Sequence, residues 1–333
     1  MTTTPFGAVL VMWLVMMLSP FWLRNVALRV LGCISLAATL SFFNFPDIIE
    51  YEMHYQKLSQ ATTNTFLIVK SEWNFEIGYD LLVFISSKFL SFGFFYILII
   101  ALSLLSYYRF YNAYIKDAAD LCFVLFVSLF IYYISFTLRT TIASALLANM
   151  LVAIKKNKTN LSIVLIAAAC FVHSVAIPFI SLLSVSTFDG KNLPKITLAL
   201  LAVIFSYLMA EIAVPVLSTL FLNKEFVDFK IESYSDLAKF NWNLLVIAWI
   251  LIGISLLSLK KIREEDFWIY TSVSSVFALL SFNVFFQGRA TWTITFIYSY
   301  LIVSMAGRDI KCKDLMVIIC LIVSVGTLGV VRY

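Results

Sequence analysis

The sequence predicts an all-α fold: a polytopic bundle of about ten to twelve transmembrane helices, with an amphipathic outer segment after the second span. Three observations predict it. Hydrophobic types make up 62% of the 333 residues and charged types only 13%, at a mean hydropathy of +0.96. A soluble domain averages about 45–50% apolar and about 25% charged. Apolar runs of membrane-crossing length recur along the whole chain, and the basic residues gather in the short polar breaks between them. A water-soluble globule of this composition would expose far too much apolar surface. Soluble enzymes, nucleic-acid readers and disordered proteins are thereby all but excluded, and the net charge of +5 is no nucleic-acid signal because it is scattered between the apolar runs.

The elements follow in order. The first run, 6–19, has no basic stretch before it and reads as a retained span rather than a cleaved signal. A second span covers 26–45. The hydrophilic segment 46–80 comes next, with Asp47, Tyr51 and His54 at i, i+4 and i+7, so that one face of a short surface helix would present all three. Glu76-Ile77-Gly78-Tyr79 then leads into an amphipathic run to Leu90. Further spans are expected at 91–107, 120–137, 139–154, 160–185, 196–221, 241–259, 267–285, 290–306 and 315–331, with a second hydrophilic stretch at 223–240. Barrel strands would be shorter and alternating. The whole chain, 1–333, reads as a single integral membrane domain.

Orientation follows the basic residues. Arg24, Arg29, Arg109, Lys116, Lys155, Lys156, Lys158, Lys260, Lys261, Arg263, Arg308, Lys311 and Lys313 flank spans at breaks that belong on the cytoplasmic side. Segments 46–80 and 223–240 then lie outside, as does the N-terminus. Lys191 and Lys195 also look cytoplasmic, although one apolar run separates them from Lys155–Lys158. That run holds His173 and Pro178, and proline breaks or kinks a helix. Two half-helices that enter and return from one side would reconcile the charges; a single full crossing is the alternative.

Several polar residues sit where lipid would not tolerate them unpartnered. Arg139, in FTLRTTIASALL, and Arg289, in VFFQGRATWTITF, both fall at the outer ends of spans. A charge at such a depth faces a bundle interior, a cavity or the interface. Two arginines at one depth suit a shared anion site, since the guanidinium fork matches phosphate. His173 is either a hydrogen-bonded structural residue or an acid–base group. Glu211 is the only carboxylate well inside a span. The carboxylates and aromatic rings of 46–80 suit sugar binding, or else form an interfacial aromatic belt. The five cysteines, Cys33, Cys122, Cys170, Cys312 and Cys320, lie mostly in apolar runs without metal-ligand spacing and read as buried small hydrophobes. The chain has no Gly-rich phosphate loop, no paired-aspartate metal motif, no GxSxG and no zinc spacing. No cofactor, no metal and no nucleotide is therefore expected.

The ordered motifs DIIEY (Asp47, Tyr51), EIGY (Glu76, Gly78, Tyr79), LRTTIA (Arg139), ACFVHSVA (His173, Ser174) and GRATW (Arg289) resemble the O-antigen polymerases, in the EpsG-like branch of the Wzy-type polysaccharide polymerases. The resemblance covers about residues 40–300. The sequence departs from that pattern at Ile77, where proline is frequent, and at Thr140, where glutamine is frequent. Neither departure removes a charged group, but any role of the second position in substrate choice does not carry over from the resemblance.

The resemblance implies a glycosyltransferase of the bacterial inner membrane with its site facing the periplasm. It would polymerise oligosaccharide repeat units carried on undecaprenyl diphosphate, as in O-antigen and lipopolysaccharide biosynthesis. Its expected partners are that lipid-linked oligosaccharide, membrane lipid and, as a further candidate, a polysaccharide chain-length regulator, with no nucleic acid. Arg139 and Arg289 would hold the diphosphate and stabilise charge on the departing oxygen. His173 would act on the acceptor hydroxyl, with His54 the rival base and Asp47 or Glu76 the acidic alternatives. Asp47, Tyr51, Glu76 and Tyr79 would bind substrate. A lipid-linked oligosaccharide flippase predicts instead a midplane site and inverted repeats, which the sequence lacks. An O-antigen ligase or a sugar acyltransferase would share the outward site.

Overall fold

The computed structural model describes residues 25–41, 46–71, 75–183, 269, 293 and 295–305, and they are all-helical, with no strand among them. The helices are α1 (Val26–Ser41), α2 (Pro46–Gln60), α3 (Phe66–Ser71), α4 (Ile77–Ser86), α5 (Phe92–Tyr114), α6 (Ala119–Phe136), α7 (Leu138–Lys155), α8 (Thr159–Val172) and α9 (Thr295–Met305). The expected spans 6–19, 196–221, 241–259 and 315–331, loop 223–240, most of span 267–285, and Lys191, Lys195, Glu211, Arg289, Cys312 and Cys320 lie outside the described residues. Two helices, Phe92–Tyr114 and Leu138–Lys155, are long and apolar enough to cross a membrane. At about 1.5 Å per residue they reach roughly 35 and 27 Å.

The core forms around α5, which packs against α1, α6 and α7. Its Tyr107, Phe110, Tyr111 and Tyr114 are buried, and their rings interlock with Phe126 of α6 and with Phe296 and Tyr300 of α9. Buried tyrosines need partners for their hydroxyls. Tyr111 donates to the Phe296 carbonyl and Tyr114 to the Leu151 carbonyl, both at 2.9 Å. Small residues of α7, among them Ala143, Ser144 and Ala148, are buried and let neighbouring backbones approach closely. Cys33 and Cys122 are buried free thiols, as expected of small hydrophobes.

The turn from α7 to α8 places the site. Asn157 has φ 54°, a left-handed conformation that asparagine tolerates better than most residues. Its N–H donates to the Ile154 carbonyl, and the Lys158 N–H donates to that of Ala153, both at 2.9 Å. These two bonds are the Schellman closure of a helix. α8 therefore runs back antiparallel along α7, and its last residues come level with the first residues of α7.

The helices have two distinct ends. At one, the Arg29 guanidinium lies over the Tyr108 ring at 3.8 Å and Lys155 over Tyr114 at 5.5 Å. Arg29 and Lys155 are both among the basic residues on which the sequence-based orientation rests. At the other lie α2, α3 and α4.

Two expectations change in detail. The run 160–185 does break at His173, which is extended (φ −153°, ψ 117°), but a 3₁₀ segment, Ser174–Leu183, follows instead of a second α-helix. Pro178 in that segment has no N–H to donate. Helix α2 also turns its patterned face inward rather than presenting it. Tyr51, His54, Tyr55 and Leu58 are buried, whereas Asp47, in the first turn, is exposed. The spacing i, i+3, i+4, i+7 buries one stripe of an amphipathic helix, and here aromatic rings fill it.

Candidate functional site

Three segments converge on one carboxylate. Glu76 stands just before α4 in extended backbone (φ −69°, ψ 142°), and its side chain does not cap its own helix. It reaches across instead. Arg139, in the first turn of α7, donates from Nη1 to Glu76 Oε2 at 2.6 Å. His173, just past the end of α8, places Nδ1 2.7 Å from Glu76 Oε1. Ser174 donates to the same oxygen from its backbone N–H and its hydroxyl, both at 3.0 Å. The break at His173 is what frees the Ser174 N–H for this contact, since a continued helix would direct it to a carbonyl four residues back.

The cluster is nearly dry. The side chains of Arg139, Glu76 and His173 are 12%, 7% and 3% exposed. Burial alone would raise the Glu76 carboxyl, but the Arg139 guanidinium, His173 and the Ser174 N–H together hold it well below the usual carboxylate range. Glu76 is accordingly a charged anchor at neutral pH. It makes a poor proton acceptor.

An aromatic floor lies beneath Arg139. Its guanidinium sits 4.3 Å from the centre of the Phe75 ring. Tyr51 stacks on Phe75 at 5.5 Å and meets Tyr79 edge-on at 5.7 Å. Tyr79 is fully buried. Among the described residues, the buried Arg139 Nε and the Tyr79 hydroxyl have no hydrogen-bond partner.

Gly78 explains the spacing of the EIGY motif. A Cβ there would stand 2.5 Å from the Phe171 carbonyl oxygen and 2.7 Å from its carbon. Only glycine permits this approach of α4 to the end of α8. Contact two residues before His173 and two residues after Glu76 is what draws the pair together.

Among the residues singled out from sequence, Tyr51, Glu76, Tyr79, Arg139 and His173 therefore meet in space. Asp47 is on the same side but exposed and outside the cluster. His54 belongs to a separate pair with Asp80. Arg289 lies outside the described residues. Sequence reasoning assigned no role to three residues in or beside the cluster. Ser174 was visible as the neighbour of His173, but its role needs the broken helix. Asp80 is one helical turn beyond Glu76. Phe75 carried no signal beyond its being aromatic.

No curated protein and no solved structure matches the chain. The sequence pattern that defines the EpsG family matches residues 26–331, a span that takes in every residue of the cluster. That family points to polysaccharide biosynthesis of a polymerase type by glycosyltransferase-like chemistry in a membrane protein, and the chain belongs to the EpsG family.

Proposed function

We propose that the protein is a polytopic inner-membrane glycosyltransferase of Wzy type, polymerising undecaprenyl-diphosphate-linked oligosaccharide repeat units at the periplasmic face. The observation that carries this reading is Glu76, whose carboxylate holds His173 on one oxygen and Arg139 on the other. A base and an anion-binding cation thus stand side by side in a buried site.

Each group has a role in the proposed step. Glu76 would fix the imidazole with its proton on Nδ1 and so give Nε2 the role of proton acceptor, much as a carboxylate orients the histidine of a hydrolytic triad. The acceptor hydroxyl attacks the anomeric carbon of the donor, and its proton passes to His173 Nε2 as the new glycosidic bond forms. The bond from that carbon to the lipid diphosphate breaks, and the diphosphate leaves with the bonding pair. Arg139 receives the growing charge. Its Nε–H supports this assignment, because buried donors are nearly always paired and this one has no partner among the described residues. Glu76 already balances one positive charge, so a diphosphate needs a second cation, and Arg289 is the residue proposed for it. Asp47 would accept hydrogens from acceptor hydroxyls at the exposed rim, whereas the buried Tyr51 and Tyr79 rings would back the Arg139 side of the site. A polysaccharide chain-length regulator remains a proposed partner.

The decisive test is loss of the gene followed by gel analysis of the surface polysaccharide. Loss of a polymerase leaves a single repeat on the lipid core. Loss of a ligase leaves none attached, and that result would replace this reading. Arg139→Ala and Arg289→Ala should each abolish the ladder at matched protein levels, and lysine should rescue only in part because it lacks the bidentate fork.

A further inference from the structure

A second carboxylate–histidine pair lies one helical turn beyond the first. Asp80, in the first turn of α4, stands four residues beyond Glu76, which precedes that helix in extended backbone. Glu76 reaches toward α7 and α8, whereas Asp80 reaches back to α2, where its Oδ1 is 2.8 Å from His54 Nε2. Both side chains are 0% exposed. Such a pair is an expensive way to join two helices. Asp80 Oδ2 is buried with no hydrogen-bond partner among the described residues, and burial pushes the Asp80 carboxyl above its ordinary value against the pull of the His54 hydrogen bond. Two apolar side chains would hold α2 to α4 without that desolvation. What they would lack is direction.

Direction matters because of what the His54 ring touches. It meets Phe75 edge-on at 4.7 Å and 89°, and it lies nearly parallel to Tyr79 at 6.3 Å. Phe75 is the ring on which the Arg139 guanidinium rests, and Tyr51 stacks on the same ring. Contact therefore runs without a gap from Asp80 to His54, to Phe75 and to Arg139. A hydrogen bond at Nε2 fixes the plane of the imidazole, and that plane sets the tilt of Phe75.

We propose that Asp80 and His54 are positioning residues that act through Phe75 to fix the height and tilt of the Arg139 guanidinium, and with it the site's affinity for an anionic donor group. The identity of that group as a lipid diphosphate rests on the function proposed above; the positioning does not.

The test uses purified full-length protein and two measurements. The first is the rate of phenylglyoxal modification of Arg139 relative to Arg29 and Arg109, read by peptide mass spectrometry in the same sample. The second is KM and kcat with undecaprenyl-diphosphate-linked repeat units. In the double variant His54→Leu/Asp80→Leu both polar partners are removed together, which protects stability. It should show a severalfold change in Arg139 modification with Arg29 and Arg109 unchanged, and a severalfold higher KM with kcat little altered. His54→Gln, which keeps a side-chain donor, should stay near wild type, and His54→Leu should not. Wild-type Arg139 reactivity in the double variant would overturn the proposal, as would a common change in all three arginines, the mark of a general loosening. If the double variant does not accumulate, equal Arg139 reactivity in His54→Gln and His54→Leu overturns it instead. If wild type forms no polymer but Arg139 reactivity shifts as described, the positioning stands and the polymerase reading falls.

Discussion

Glu76 Oε1 lies 2.7 Å from His173 Nδ1, across 97 residues of chain. The same carboxylate binds Arg139 through its other oxygen. One acidic residue thus sets the tautomer of a histidine and the place of an arginine. This supports the proposed role of Glu76 as an organiser of the site rather than its base, although its position among the acidic residues of an outer segment first suggests sugar binding.

Glu76→Gln should therefore damage catalysis more than binding. The amide keeps the shape but loses the charge that favours a proton on Nδ1, so polymer formation should fall by about 10²-fold or more while protein still accumulates. His173→Gln should fall comparably. Purified variants with lipid-linked repeat units separate rate from folded yield. A His173→Gln variant within about tenfold of wild type would end the base assignment, because general acid–base groups contribute typically about 10²–10⁴-fold.

The lowered Glu76 carboxyl also predicts a pH dependence of stability. A carboxylate held low in the folded state stabilises fully above its unfolded value, about 4.3. That contribution declines as the pH drops through this value and is exhausted below the lower folded value. Wild type should exceed Glu76→Gln in denaturation midpoint at pH 7, and the gap should narrow toward pH 3.5. A gap that stays constant would show that the carboxylate is not held low.

Gly78→Ala should separate α4 from α8. Its methyl would collide with the Phe171 carbonyl, which is backbone and cannot rotate aside. Overpacking of this kind costs about 1–3 kcal/mol. The Glu76–His173 contact should lengthen, so thermal unfolding and polymer length should both report the change. An alanine variant of unchanged midpoint and activity would mean that the two backbones are farther apart than 2.5 Å implies.

Asn64 and Asn157 are both exposed, in the α2–α3 turn and the α7–α8 turn. They stand at opposite ends of the helices. Single cysteines at these positions should react with an impermeant reagent from opposite sides, Asn64 from the periplasm. Labelling of both from one side would reject the proposed orientation.

Composition and run length alone specify the helical class, because they leave few alternatives for so apolar a chain. The sequence also marked Tyr51, Glu76, Tyr79, Arg139 and His173, since charged and aromatic residues at the ends of apolar runs stand out against their surroundings. The break at His173 was legible from Pro178. Whether Tyr51 and His54 face outward was not legible, because an amphipathic period identifies a stripe without saying what covers it; α4 and Phe75, two residues before it, cover this one. Nor could sequence tell that Glu76 is satisfied by four donors and acts on its neighbours, whereas Asp80, four residues on, pairs with His54. That division was decided only in three dimensions. The Schellman turn at Asn157 returns α8 to the level of Arg139, and Gly78 lets α4 touch the Phe171 carbonyl. Contacts between residues 63 and 97 positions apart depend on the path of the chain between them, which no local pattern encodes.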